Sequence, residues 1–240
     1  MNIEEIIKYR RSVRNYSTQP IDAERVRQCI ELSTLAPNSS NMQLWEFYHI
    51  TKSDLLKKIS VACLNQESAA TAQQIVVFVT RQDLYRNRAL KLLELETRNV
   101  QKNSPLEKRE KRNKNWKTYY GWVMPLLYVR FFGLIGFIRK LMVNLVGIFR
   151  PIIYQVSEND MRVVVHKTCA LAAQTFMLAM ASEKYDTCPM EGFDSRRLKR
   201  ILKLPHGAEI NMVISCGIRS DKGVWGDRMR IPFSEAYFKL

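Results

Sequence analysis

The sequence has no cysteines paired at metal-ligand or redox spacing. Its five (Cys29, Cys63, Cys169, Cys188, Cys216) lie far apart and are odd in number, so no disulfide framework is indicated. The three histidines are equally scattered, and no metal site is expected. There is no GxGxxG behind a strand, no Walker-type phosphate loop, no GxSxG and no HExxH. P-loop, serine-hydrolase and zinc-protease chemistries are therefore poor readings. Internal repeats and low-complexity stretches are also missing, which excludes repeat architectures. The opening Met1-Asn2-Ile3-Glu4-Glu5 is acidic and polar where a secretory leader is basic and then apolar. A reducing, cytoplasmic setting is the expectation.

What is present is a chain of 240 residues, 46% hydrophobic and 25% charged, values of an ordinary globular protein. A chain this long buries about three-quarters of its unfolded surface and folds without staples. Residues 1–240 are expected to form one domain, with a variable insertion at about 85–158 and a C-terminal arm at about 224–240. The net charge of +15 is unevenly placed: residues 81–150 hold 16 basic and 5 acidic residues. The excess belongs to one segment, and no nucleic-acid partner is implied.

Asn2 followed by Glu5 reads as a capping box for a short helix carrying Ile3, Ile6 and Ile7. Asp22 caps a second helix that stops before Pro37. Trp45–Ile50 is an aromatic strand, Ser53 or Asp54 opens a helix to about Cys63, and Ile75–Val79 is an apolar run short enough for a buried strand. Ser157–Asp160 caps a long helix from Met161 to about Tyr185, apolar nearly all round from Ala170 to Ala181. A short strand before Pro189, a helix at Ser195–Leu202 and a strand at Ile210–Cys216 follow. Strands and helices mix without a regular βαβ repeat, so the fold class is α+β.

Four stretches are chemically notable. Arg10-Arg11-Ser12-Val13-Arg14 sets three guanidiniums in five residues, which repel one another unless an anion sits among them; a solvated basic helix end is the plainer alternative. Ser39-Ser40-Asn41-Met42-Gln43-Leu44-Trp45 offers amides and hydroxyls that could read the polar edge of a ring or cap a turn. Cys188–Asp194 is a Pro/Gly-framed turn whose amides face a ligand or merely connect. In Arg228-Met229-Arg230-Ile231-Pro232, alternation puts both arginines on one side of an extended chain.

In this order and spacing, with Leu202-Lys203-Leu204-Pro205 as a fifth element, these stretches resemble the nitroreductase family of FMN-dependent oxidoreductases. The resemblance covers about residues 1–80 and 160–240. It implies a mainly antiparallel central sheet flanked by helices in an intertwined homodimer, with FMN at the interface and NADH or NADPH as donor. By the match, Arg10, Ser12, Arg228 and Arg230 neutralise the FMN phosphate, Arg11 is a further cofactor-binding residue, and Arg14 approaches the pyrimidine end. Ser39, Ser40, Asn41 and Gln43 come from the other subunit, and the turn Pro189, Met190, Glu191, Gly192 faces the flavin N5 region. Asn65 matches loosely a flavin-contacting amide. Leu44 stands where proline is usual, Asn38 where serine is common, and Ser68 where some members carry a flavin-contacting lysine. The acceptor implied is a small electron-poor molecule such as a nitroaromatic or a quinone. No catalytic side chain is required, because the flavin carries the electrons.

The middle segment leaves two readings. It forms helices over the substrate and on the dimer surface, or residues 122–150 rest on anionic lipid as a peripheral contact. A spanning helix is disfavoured, since Arg130 in the middle of Trp122–Ile138 costs about 2.5–3.5 kcal/mol. On one continuous helix Arg139 and Arg150 would share a face. Accordingly, the alternatives to a general reductase are a specialised flavin dehydrogenase or reductive dehalogenase working at a membrane, and a non-catalytic flavin-binding protein of the membrane surface.

Overall fold

The apolar run at Ile75–Val79 is unbroken because both faces of its strand are covered. In the computed structural model, which describes all 240 residues, β2 (Gln74–Thr80) is buried along its whole length. It pairs with β1 (Trp45–Ile50) and β4 (Glu209–Gly217), while β3 (Asp186–Met190) lies beyond β4. The order is β1-β2-β4-β3, with every neighbouring pair antiparallel. Val76 and Phe78 enter one core with Val26 and Cys29 of α2 (Ala23–Ser33) and with Cys169, Ala172, Ala173 and Phe176 of α9 (Glu158–Ser182). Ile75, Val77 and Val79 face the other layer, against Ile59 and Ala62 of α3 (Ser53–Ala62) and Leu198 of α10 (Ser195–Ile201). The two-residue alternation of a strand thus feeds two cores. Helix α9 is long and apolar enough to cross a membrane by composition alone, yet its Ala172 and Ala173 lie fully buried in the core against the sheet.

The outer edge of β3 positions the arginine motif. Pro189 is tolerated there because an edge strand can lose an N–H. The stretch after α1 (Ile3–Tyr9) runs beside this edge, with Val13 N–H donating to the Thr187 carbonyl at 3.1 Å. The hydroxyl of Tyr16 donates into the core, to the Ser215 carbonyl at 2.9 Å. Arg219 then fastens both chain ends. Its backbone N–H and guanidinium donate to the buried Asp186 carboxylate, and the guanidinium lies 4.5 Å over the Tyr9 ring. Two apolar residues of α1 gain no cover within the chain: Ile3 and Ile7 are 64% and 49% exposed.

The middle segment folds as α5 (Tyr85–Asn103), α6 (Leu106–Thr118), a π-helical turn (Tyr119–Val123), α7 (Met124–Tyr128) and α8 (Leu134–Gly147); a 3-10 turn, Gln82–Leu84, links it to β2, which is itself preceded by α4 (Glu67–Ala70). No single helix runs from Trp122 to Ile138, because Gly133 turns the chain with φ +83°. Arg139 does not share an outer face with Arg150. It is buried, and its guanidinium donates to the carbonyls of Leu126, Leu127 and Val129 at the end of α7. Glu158 in turn accepts N–H bonds from Phe131 and Gly133 at 3.0 Å each, so a carboxylate meets the positive end of α8. Burial raises the Glu158 pKa, but these amides and Arg139 outweigh it and hold the group below its ordinary value. Gly136 is required at this crossing, since a Cβ there would lie 2.6 Å from the Glu158 nitrogen.

Glu209 joins the middle segment to the body. It accepts from Arg130 at 3.1 Å and from Arg162, and His166 lies 3.3 Å away. The His166 contact and the two guanidiniums overcome burial and push the carboxyl pKa from 4.5 down to about 2. A depressed carboxylate stabilises the fold fully above its unfolded pKa and loses that contribution as pH falls through the folded one. The wild-type urea midpoint should therefore fall between pH 4.5 and about 2. Glu209→Gln should flatten that limb; an unchanged limb removes Glu209 as its source.

Candidate functional site

Helix α1 ends where its arginines are needed. Its capping box, Asn2 with Glu5, forms as the sequence indicates. Arg10 leaves the helix in extended geometry, and Arg14 is held by its N–H bond to the Gly223 carbonyl at 2.8 Å. The chain's last segment returns to the same place. Arg10, Arg11, Ser12 and Arg14 line one cavity of about 620 Å³ with Val224, Trp225, Asp227, Arg228, Met229 and Arg230. Five guanidiniums face it, and none of them forms an ion pair. Burial, and then the charges of Arg228, Arg230 and Arg11, depress the pKa of Arg10. Arginine does not lose its proton in response, so a bound anion would relieve the repulsion that solvent leaves at the half-buried Arg10.

The five are not equivalent. Arg228 donates to the carbonyls of Ile7, Lys8 and Arg10, closing the C-terminus of α1, while Arg11 donates to the Gly226 carbonyl at 3.1 Å. Arg230 bonds only the carbonyl of its own neighbour Met229, and the side chains of Arg10 and Arg14 donate to no protein acceptor. Arg10, Arg14 and Arg230 are thus free to receive a ligand, with Arg228 and Arg11 shaping the wall. A phosphate monoester, with about −1.5 to −2 charges and three acceptor oxygens, fits this donor set.

The turn after β3 lies beside the cradle through Cys188, whose thiol pKa burial raises and the nearby Arg14 and Arg10 partly lower. Pro189 and Met190 complete β3, with Met190 buried and Glu191 and Gly192 exposed. Asn65 is exposed with φ +52° and does not bond this turn. Its neighbour Gln66 does, donating Nε2 to the Gly192 carbonyl at 2.6 Å. Gln66 is a site residue that the sequence reading missed; only a contact 126 positions apart identifies it. Ser68 lies buried, its hydroxyl 3.2 Å from the Met190 sulfur, and brings no charge to the site.

Ser39, Ser40, Asn41 and Gln43 do not line the arginine cavity of their own chain. They form a turn in which Asn38 Oδ1 accepts the Gln43 N–H at 3.0 Å and Gln43 Nε2 donates to Asn41 Oδ1 at 3.1 Å. Asn38, standing in place of serine, thus closes the loop. Leu44, standing in place of proline, is buried with Met42 in a third core built with Leu92, Tyr120, Met124 and Tyr128 of the middle segment.

The fold is that of a known family. The nitroreductase family model matches residues 7–218, and the chain belongs to that family. It is thereby an FMN-dependent NAD(P)H oxidoreductase. MhqN of Bacillus subtilis, which bears the name of an NAD(P)H nitroreductase, is 25% identical over 218 residues, 88% of this chain and 86% of MhqN. DrgA of Synechocystis is 22% identical, over 92% of this chain and 86% of its own length. Among solved structures, the nitroreductase YdfN of Bacillus subtilis superposes with a TM-score of 0.73 at 21% identity, covering 99% of this chain and 98% of its own. A nitroreductase from Exiguobacterium sibiricum solved in complex with FMN gives 0.70 at 20% identity, covering 100% and 98%.

A cradle of unpaired guanidiniums should bind simple anions even without a nucleotide. Millimolar phosphate should raise the Tm of cofactor-free protein by mass action, and Arg10→Met or Arg230→Met should abolish most of that rise. Equal phosphate stabilisation in wild type and variants would place the anion elsewhere.

Proposed function

We propose that the protein is a homodimeric reductase of small electron-poor acceptors, nitroaromatics or quinones, with the FMN phosphate held by Arg10, Arg14 and Arg230. The observation that carries the reading is five guanidiniums around one cavity with no carboxylate paired to any of them. FMN held there would supply hydride transfer between a nicotinamide and an electron-poor acceptor. The chain's part is to bind, orient and set charge. Arg10 and Arg230 neutralise the phosphate, while a cation at Arg14 favours negative charge on the pyrimidine end and so raises the reduction potential. Amides near Met190–Gly192, steadied by Gln66, face the ring edge.

The second half of the site belongs to a partner chain in this reading. Two features support that: the Ser39–Gln43 loop lies off the cradle of its own chain, and apolar surface waits for cover. Besides Ile3 and Ile7, the arm exposes Trp225 (89%), Phe233 (75%) and Phe238 (76%). Helix α8 also presents Leu134, Phe137, Leu141, Leu145 and Ile148 outward, at spacings that form one stripe.

A specific feature favours a second reading for α8. From Lys111 to Ser157 there is no acidic residue but eight basic ones, which suits an anionic bilayer as the surface met by that stripe. On this reading the acceptor is drawn from the lipid phase.

Purified protein should carry the visible absorbance of a flavin, oxidise NADH or NADPH when a quinone or nitroaromatic is supplied, and run as a dimer. Arg10→Ala and Arg230→Ala should each weaken FMN binding by about tenfold or more, as loss of a charge-assisted bond to phosphate does. Colourless protein that gains no flavin band on adding FMN overturns the reading. For α8, co-sedimentation with anionic but not neutral vesicles selects the bilayer. Failure to sediment, with Leu141→Glu yielding monomers, assigns the stripe to the partner chain.

A further inference from the structure

The Ser39–Gln43 loop stands in a conformation that its own residues disfavour. Ser40, Asn41 and Gln43 have φ of +54°, +52° and +48°, the left-handed region, which asparagine visits readily but in which the Ser40 and Gln43 side chains crowd the backbone. Three such residues among four persist only when the surroundings hold them.

The middle segment supplies the restraint. Tyr119 Oη and Ser40 Oγ share a hydrogen bond of 2.8 Å. Tyr120 Oη donates to the Ser40 carbonyl at 3.0 Å. Two consecutive tyrosines reach one residue because they open a π-helical turn, in which the Met124 N–H returns five positions to the Tyr119 carbonyl. Such a turn narrows the angle between successive side chains, and isolated ones occur mostly at functional sites. The rings are themselves fixed: Trp116 stacks on Tyr120 at 5.5 Å, and Tyr119 meets Tyr120 edge-on at 5.2 Å. Burial pushes the Tyr120 phenol up to about 12, so it remains a donor at any working pH. Met42 and Leu44 anchor the following residues in the same core.

We propose that Tyr119 and Tyr120 are positioning residues for the flavin: by fixing the left-handed backbone at Ser40, they hold Ser39, Asn41 and Gln43 in the arrangement that receives the cofactor across the subunit boundary. The inference rests on the flavin reading above and deepens it, making the middle segment a support for the cofactor site. Neither tyrosine touches FMN in this scheme; each acts through Ser40.

The test compares full-length wild type, Tyr119→Phe and Tyr120→Phe, each alone and combined with Ser40→Gly. The readouts are the FMN dissociation constant, the position and shape of the bound flavin's visible band, and Tm. Phenylalanine keeps the ring packing and deletes only the hydroxyl. Tyr120→Phe is expected to weaken FMN binding about fivefold to tenfold and to shift the visible band. Glycine adopts positive φ without strain, so in the Ser40→Gly background the same substitution should change affinity by less than about twofold. Tyr119→Phe should likewise lose its effect there, its hydroxyl partner being gone. The proposal is overturned if Tyr120→Phe leaves affinity and spectrum at wild-type values, if its effect survives undiminished beside Ser40→Gly, or if affinity falls only with Tm while the band stays fixed. Wild-type protein that takes up no FMN brings down the flavin reading itself, a result distinct from the other three.

Discussion

Positive charges brought together without a counter-charge are the constraint around which this molecule is arranged. Arg10, Arg14 and Arg230 cannot shed their protons, and no carboxylate of the chain pairs with them, so the arrangement calls for an external anion. The supporting parts serve to keep that cluster assembled against its own repulsion. The Arg219–Asp186 pair, stacked on Tyr9, ties the start of the chain to the strand that ends at the Glu191–Gly192 turn. Arg228, which the family resemblance sets among the phosphate ligands, spends its donors on the carbonyls that end α1. It fixes the entry angle of Arg10 instead.

The middle segment is part of the same construction. Its two halves are joined by reciprocal electrostatics at helix ends: Arg139 closes the negative end of α7 and Glu158 the positive end of α8. Its core is completed by Met42 and Leu44 from the loop, while its tyrosines bond Ser40. The two departures from the family pattern in that loop have local reasons. Leucine replaces proline because a core is there to fill. Asparagine replaces serine because its side-chain oxygen reaches the Gln43 N–H.

Much of this was legible beforehand wherever the signal is short in range. The caps at Asn2, Asp22 and Ser157 and the apolar strand β2 follow from spacing alone. The clustered like charge of Arg10–Arg14 is also visible in one dimension, whereas its meeting with Arg228 and Arg230 is implied by the family resemblance and not by spacing. What stayed hidden is what depends on chain crossings. Gln66 gains its role from Gly192, and Arg139 turns inward because α7 ends beside it. Tyr119 and Tyr120 matter through a residue about eighty positions earlier. A π turn has no composition signature, so the convergence of two adjacent tyrosines could not be read from their order.

Leu44 carries a last implication, for modularity. Because its side chain completes a core whose other walls come from residues 85–165, the middle segment is not a cassette that can be moved between relatives by cutting at its ends. A chimera receiving this segment while keeping proline at the loop would inherit a void beneath its cofactor loop. The segment and this one distant position therefore form a single packing unit.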